Sequence, residues 1–102
     1  MMILELNQHQ AEALKHLFEK VVSPALPEDV AESLLKDLLR NVYRKLCTKL
    51  EARRNYGYNL TLTDLEGKAF YVYFTDRMLG TGWLYEQNLI DNLLVQLDIA
   101  YA

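Results

Sequence analysis

Residues 27–54, PEDVAESLLKDLLRNVYRKLCTKLEARR, constrain the fold more than any other stretch of the chain. Apolar residues recur there every four positions. Val30, Leu34, Leu38, Val42, Leu46 and Leu50 form one row, and Ala31, Leu35, Leu39, Tyr43 and Cys47 form the next. An α-helix turns about 100° per residue, so each four-residue step overshoots a full turn by roughly 40°. The apolar stripe therefore drifts around the cylinder, and its two halves need different neighbours. The spacing predicts one unbroken central helix over 27–54, wrapped on successive sides by the other elements. Pro27 suits its first position, where no intrahelical donor is forfeited, and Glu28 and Asp29 suit the positive end of the helix dipole. Lys49, Arg53 and Arg54 suit the negative end, with Asn55 and Gly57 as the stop signal.

Ahead of this helix, residues 1–6 are apolar at five of six positions and read as a short buried strand or an anchored terminus. Asn7 is an N-cap candidate, and Gln10 three residues on completes a capping-box pattern. The helix that follows, about 8–22, places Ala11, Leu14, Leu17, Phe18, Val21 and Val22 on one face. Pro24 and Pro27 end it, because proline cannot continue a helix interior. The short linker makes the first two helices an antiparallel pair.

After the central helix, NYGYNLTLTDLEGKAFYVYFT predicts a β-hairpin. Asp64-Leu65-Glu66-Gly67 has the form of a type I turn, with glycine where φ must be positive. That turn sets Leu62 opposite Phe70, Leu60 opposite Val72 and Tyr58 opposite Phe74 on an apolar face. The other face takes Thr61 with Tyr71 and Asn59 with Tyr73, and a one-residue slip would mix the two sets. Residues 76–82 read as a loop, and Thr81 as the N-cap of a last helix of about 82–100 carrying Leu84, Ile90, Leu93, Leu94 and Leu97. The expected fold class is α+β: three helices packed on an antiparallel hairpin in the order (β)ααββα, with the N-terminal segment free to join as a third strand. Without repeats or linkers, residues 1–102 read as a single domain.

Composition narrows the function classes. A chain of 102 residues can build a core without metal or disulfide staples. The single Cys47 forms no internal disulfide and fits a reducing compartment. No apolar run is long enough to span a bilayer, and MMILEL lacks the basic flank and cleavage site of a signal peptide, so the expected location is cytoplasmic. The net charge of −3 is unevenly distributed. Residues 36–54 hold seven basic side chains against two acidic ones, and the remainder holds four against twelve. A globally acidic chain is poorly suited to non-specific nucleic-acid binding, but a local basic face can still dock an anion.

Four groups of residues could carry chemistry. His9, Glu12 and His16 share a sector of the first helix, but they lack a fourth ligand and read as a solvated face rather than a metal site. Gly80-Thr81-Gly82 has none of the spacing of a phosphate-binding loop and reads as a connector. Lys36, Arg40 and Arg44 form one basic stripe on the central helix, and Lys45, Lys49 and Arg53 form a second. With Arg54, the set Arg40, Arg44, Lys45, Lys49, Arg53 and Arg54 is the candidate site for a nucleic-acid backbone or an acidic ligand. Such stripes more commonly form a solvated face.

The fourth group is aromatic. Tyr56, Tyr58, Phe70, Tyr71, Tyr73, Phe74, Trp83 and Tyr85 are eight of the eleven aromatics within thirty residues. Tyr71 and Tyr73, set beside Thr61 and Asn59 on the second hairpin face, resemble an interface composition. No nucleophile–base pair, cofactor motif or closed metal-ligand set is present in the sequence, so no catalytic residue, cofactor or metal is expected. The resulting expectation is a non-enzymatic protein-interaction or regulatory module. It would be homodimeric, with Asn59, Thr61, Tyr71 and Tyr73 as its contact surface and nucleic-acid or acidic-ligand binding as the alternative.

Overall fold

The computed structural model describes residues 2–52, 57–75 and 79–101. Expectations that fall on Arg53, Arg54, Asn55, Tyr56 and residues 76–78 lie outside the described residues. The architecture is α+β, mostly helical, in the order β-α-α-β-α-α, with one two-stranded antiparallel sheet.

Strand β1 (Met2–Leu6) pairs with β2 (Tyr58–Leu62), so the N-terminal segment does join the sheet. Leu4 opposes Leu60 and Leu6 opposes Tyr58, and all four side chains are buried. On the alternate face Ile3 opposes Thr61 and Glu5 opposes Asn59, turned outward. This is the period of two expected of a half-buried sheet. Gly57 precedes β2 where a Cβ would come within 3.0 Å of the Leu6 carbonyl oxygen, so glycine allows the two backbones to approach there.

Helix α1 (Gln8–Leu17) begins with the capping box read from Asn7 and Gln10. The Asn7 carboxamide accepts from the Gln10 N–H at 2.8 Å, and the Gln10 side chain accepts from the Asn7 N–H at 3.0 Å. The chain continues through a π-helical turn (Phe18–Val22), closed by a 2.9 Å bond from the Ser23 N–H to the Phe18 carbonyl, and Pro24 follows. Ala11, Leu14, Leu17, Phe18 and Val22 are buried as their spacing predicts, with Val21 half-buried.

Helix α2 (Val30–Glu51) runs unbroken within the span 27–54 read as the central helix, and it ends at the C-cap Ala52. Its start is corrected by one turn. Asp29 is the N-cap, accepting from the Glu32 N–H at 2.8 Å, and Pro27 and Glu28 belong to the connection before it. The most extensive packing of α2 is against the helix that follows β2, and it also meets α1 and β2.

The hairpin is the main correction. Residues 64–75 form helix α3 (Asp64–Thr75), not a second strand, and Gly67 lies in its first turn rather than at a positive-φ turn position. The cause is local. Thr63 and Glu66 form a second capping box: the Thr63 hydroxyl accepts from the Glu66 N–H at 3.2 Å, and the Glu66 carboxylate accepts from the Thr63 N–H at 2.9 Å. Glu66, Ala69, Phe70, Tyr73 and Phe74 then fall on one helical face and are buried. Val72, which a hairpin would bury against Leu60, is 57% exposed.

A 3-10 turn (Thr81–Trp83) leads into α4 (Leu84–Tyr101). Thr81 is not the expected side-chain cap. It opens the 3-10 turn after Gly80, whose φ of +91° lies in the left-handed region that glycine tolerates. The buried side chains form one contiguous cluster built around three rings. Phe18 lies 6.4 Å from Phe70 and 6.3 Å from Phe74, and Phe70 lies 4.8 Å from Phe74. These separations allow edge and tilted contacts between rings.

Candidate interaction surfaces

The four residues read as an aromatic contact surface do not share a face. Asn59 and Thr61 point outward from β2 beside Glu5 and Ile3, where the sheet is open. Tyr71 and Tyr73 are on α3 instead. Tyr73 is only 3% exposed and packs against Phe74 at 5.1 Å, so it belongs to the core. Tyr71 is half-buried and donates its hydroxyl to Asp98 of α4 at 2.9 Å, and this bond and the Asp98 charge raise its pKa. Tyr71 joins α3 to α4, and Tyr73 is part of the core.

The basic stripes of α2 divide by environment. Lys36 turns back to the carbonyls of Ser23 and Ala25, closing the end of the π-helical turn. Arg40 faces Asp37 across 3.8 Å with both side chains mostly in solvent, a geometry that contributes little. Lys45 is committed to the fold. Its ammonium donates to the Glu66 carboxylate at 2.5 Å and to the Thr61 carbonyl at 3.2 Å, tying α2 to both β2 and the start of α3.

Glu66 itself is 4% exposed. Its burial alone would raise the carboxyl pKa. The bond from Lys45, the Thr63 N–H and the Lys45 charge together outweigh that, and the pKa sits below its ordinary value. Arg44 and Lys49 remain. They flank a groove of about 370 Å³ between α2 and β2, lined also by Lys45, Thr48, Leu60 and Thr61. Neither has a carboxylate partner among the described residues. Arg53 and Arg54 lie outside the described residues.

The histidines are not a bare polar face. His9 meets Tyr85 with ring centroids 4.7 Å apart, and His16 meets Trp83 at 5.4 Å, so the 3-10 turn and the start of α4 lean on α1 through both rings. In the π-helical turn that follows α1, Glu19 accepts from the Tyr43 hydroxyl at 2.9 Å. The Cys47 side chain, followed by Glu19 and burial, pushes the Tyr43 pKa well above its ordinary value, so the hydroxyl remains a donor. Among the described residues no group of three or more His, Cys, Asp or Glu is placed to hold a metal ion, and no helix is long and apolar enough to cross a membrane.

The surface that the sequence did not foretell is on the first turns of α2. Val30 is 86% exposed and Leu34 59%, and Leu26, in the connection before them, is 86% exposed. The stripe becomes fully buried only at Leu39, Val42 and Leu46. A cue was present in the sequence, since the drift calculated for the stripe turns Val30 and Leu34 away from the side that Leu46 faces. That no described residue would cover them on that side was not legible. Comparison finds no match to this chain among protein-family models, curated proteins or solved structures.

Proposed function

We propose that this chain is a non-catalytic interaction module that pairs with a second copy of itself through the first turns of α2. The observation that carries this reading is the exposure of Val30 and Leu34 on a helix that buries Leu39, Val42 and Leu46 in the core. Large apolar side chains adjacent on one helix face favour a protein contact over water. Their spacing also suits self-association. Val30, Leu34 and Leu38 make an i±4 ridge, and two such ridges cross in the commonest helix-packing class, at about −50°. In an antiparallel two-fold arrangement Leu34 meets its own counterpart, and Val30 meets Leu38 of the other copy, so one patch serves both sides.

The patch is small. Burying each exposed aliphatic side chain contributes about 1.5–3 kcal/mol against an association cost of about 4–15 kcal/mol. The surplus is small, which places the dissociation constant at about micromolar or weaker and suits a reversible, regulatory contact. The environment proposed with it is cytoplasmic and reducing, in keeping with one half-buried, unpaired Cys47. The non-catalytic character is supported by the use of both histidines in ring packing and of Glu66 in capping and ion pairing.

Sedimentation velocity across a concentration series tests this reading. The expected result is a shift from monomer to dimer over micromolar concentrations, abolished by Leu34→Glu with an unchanged circular dichroism spectrum. A sedimentation coefficient that stays monomeric at every concentration would refute it, as would a dimer indifferent to Leu34→Glu and Val30→Glu.

A further inference from the structure

The groove between α2 and β2 is separate from the apolar patch, and it has a different chemistry. We propose that it is a binding site for an extended acidic peptide segment, held by the carboxylates of that segment at Arg44 and Lys49. Three observations converge on it. First, the groove is concave, with a helix on one side and a strand on the other, and its volume of about 370 Å³ lies within the range of small-ligand sites. Second, its two rim cations have no carboxylate partner among the described residues, in a chain of net charge −3. Such a chain has acidic side chains to spare, and twelve of its fourteen acids lie outside the basic stretch.

Third, the groove floor is fixed. Lys45 is held by Glu66 and the Thr61 carbonyl, so it supplies a rigid wall rather than a mobile charge. The Thr48 hydroxyl donates back to the Arg44 carbonyl at 3.0 Å, and Thr61 lines the groove with it.

The same details favour peptide over nucleic acid. Among the described residues that line the groove none is aromatic, and only Arg44 and Lys49 are cations without a carboxylate partner, a set that suits a short run of charge better than a stacked base. They also disfavour simple strand addition, because the Thr61 carbonyl already accepts from Lys45. Arg44 forms two parallel hydrogen bonds to a carboxylate, and Lys49 acts as a point charge for the next acid along an extended chain. Apolar stems of the same side chains, above Leu60, contact the intervening residues.

The test is a two-dimensional NMR titration of the intact chain with four probes: a decapeptide alternating glutamate and valine, its lysine counterpart, a ten-nucleotide thymidine oligomer, and inorganic phosphate. The expected result is that the glutamate peptide shifts the Thr48, Leu60 and Thr61 amides saturably. Its affinity falls severalfold as salt rises from about 50 to about 300 mM. The pair Arg44→Glu and Lys49→Glu weakens it at least about tenfold, and Arg44→Gln alone weakens it by about threefold, which keeps the test decisive if the double variant unfolds. Absence of these shifts, equal response to the lysine peptide or insensitivity to salt would overturn the proposal. Tighter binding of the oligomer at the same amides would assign the groove to nucleic acid, and saturation by phosphate alone with equal affinity would reduce it to a simple anion site. Either result overturns the peptide reading.

Discussion

The two halves of α2 share one apolar period and have opposite fates. From Leu39 onward the stripe is inside the molecule, with Leu39, Val42 and Leu46 fully buried and Lys45 pinned to Glu66 and β2. Before Leu39 the same four-residue spacing leaves Val30 and Leu34 in solvent. The difference is one of supply. Helix α3 and strand β2 are tied to the later half at Lys45, whereas at the earlier turns Leu35 reaches the core and no described residue covers Val30 and Leu34. Periodicity therefore reports which side of a helix is apolar at each level. The topology decides whether a neighbour is there.

The sharpest way to break this comparison is to truncate one residue in each half. Leu46→Ala opens a cavity at a fully buried site and is expected to cost about 2–5 kcal/mol in urea unfolding. Leu34→Ala, measured below the dimer range, is expected to stay within about 0.5 kcal/mol of the parent. Equal losses would mean that the earlier half is packed after all.

The next effect concerns what anchors the later half. Glu66→Ala removes both a cap and the partner of Lys45, and is expected to cost about 1–3 kcal/mol, less than the cavity. The parent should also show an acid limb. Because the Glu66 pKa is lowered on folding from its ordinary 4.5, its stabilisation is complete above that pH and is lost as pH falls through the lower folded value. Glu66→Gln should flatten that limb in a denaturation series between pH 6 and pH 3, and an unchanged limb would show that other carboxylates cause it. The smallest effect belongs to the other half of the same cap. Thr63→Ala should cost about 1 kcal/mol, visible as a drop in Tm with the helical signal retained. A Thr63→Ala variant as stable as the parent would leave α3 without its proposed local determinant.

Much of the fold was legible in the residues. The Asn7–Gln10 box, the buried face of α1, the unbroken run of α2 and the strand at 58–62 all follow from spacing and capping chemistry that act within a few residues. The second strand of the hairpin failed for a definable reason. Phe70 and Phe74 are four apart, a spacing that satisfies both a period of two and a period of 3.6, and the aromatic, β-branched composition favours a strand. The tie is broken by the capping box Thr63-Asp64-Leu65-Glu66, which shares three residues with the turn signature Asp64-Leu65-Glu66-Gly67. Read as a box, it starts a helix.

The candidate site was harder to read. Placing Tyr71 and Tyr73 beside Asn59 and Thr61 depended on the hairpin, and it fell with it. Arg44 and Lys49 were legible as cations. Which of the described basic residues on α2 would lack a partner depended on distant groups, such as Glu66 for Lys45 and the Ala25 carbonyl for Lys36, that no local pattern encodes.

The most direct test of the contrast between the halves of α2 is methyl NMR of the intact chain over a dilution series from the millimolar to the low micromolar range. The Val30 and Leu34 methyls are expected to shift together with concentration, along a single binding curve, while the Leu39, Val42 and Leu46 methyls stay fixed. Methyls of Val30 and Leu34 that do not respond to dilution, or a shift shared equally by all five residues, would contradict it.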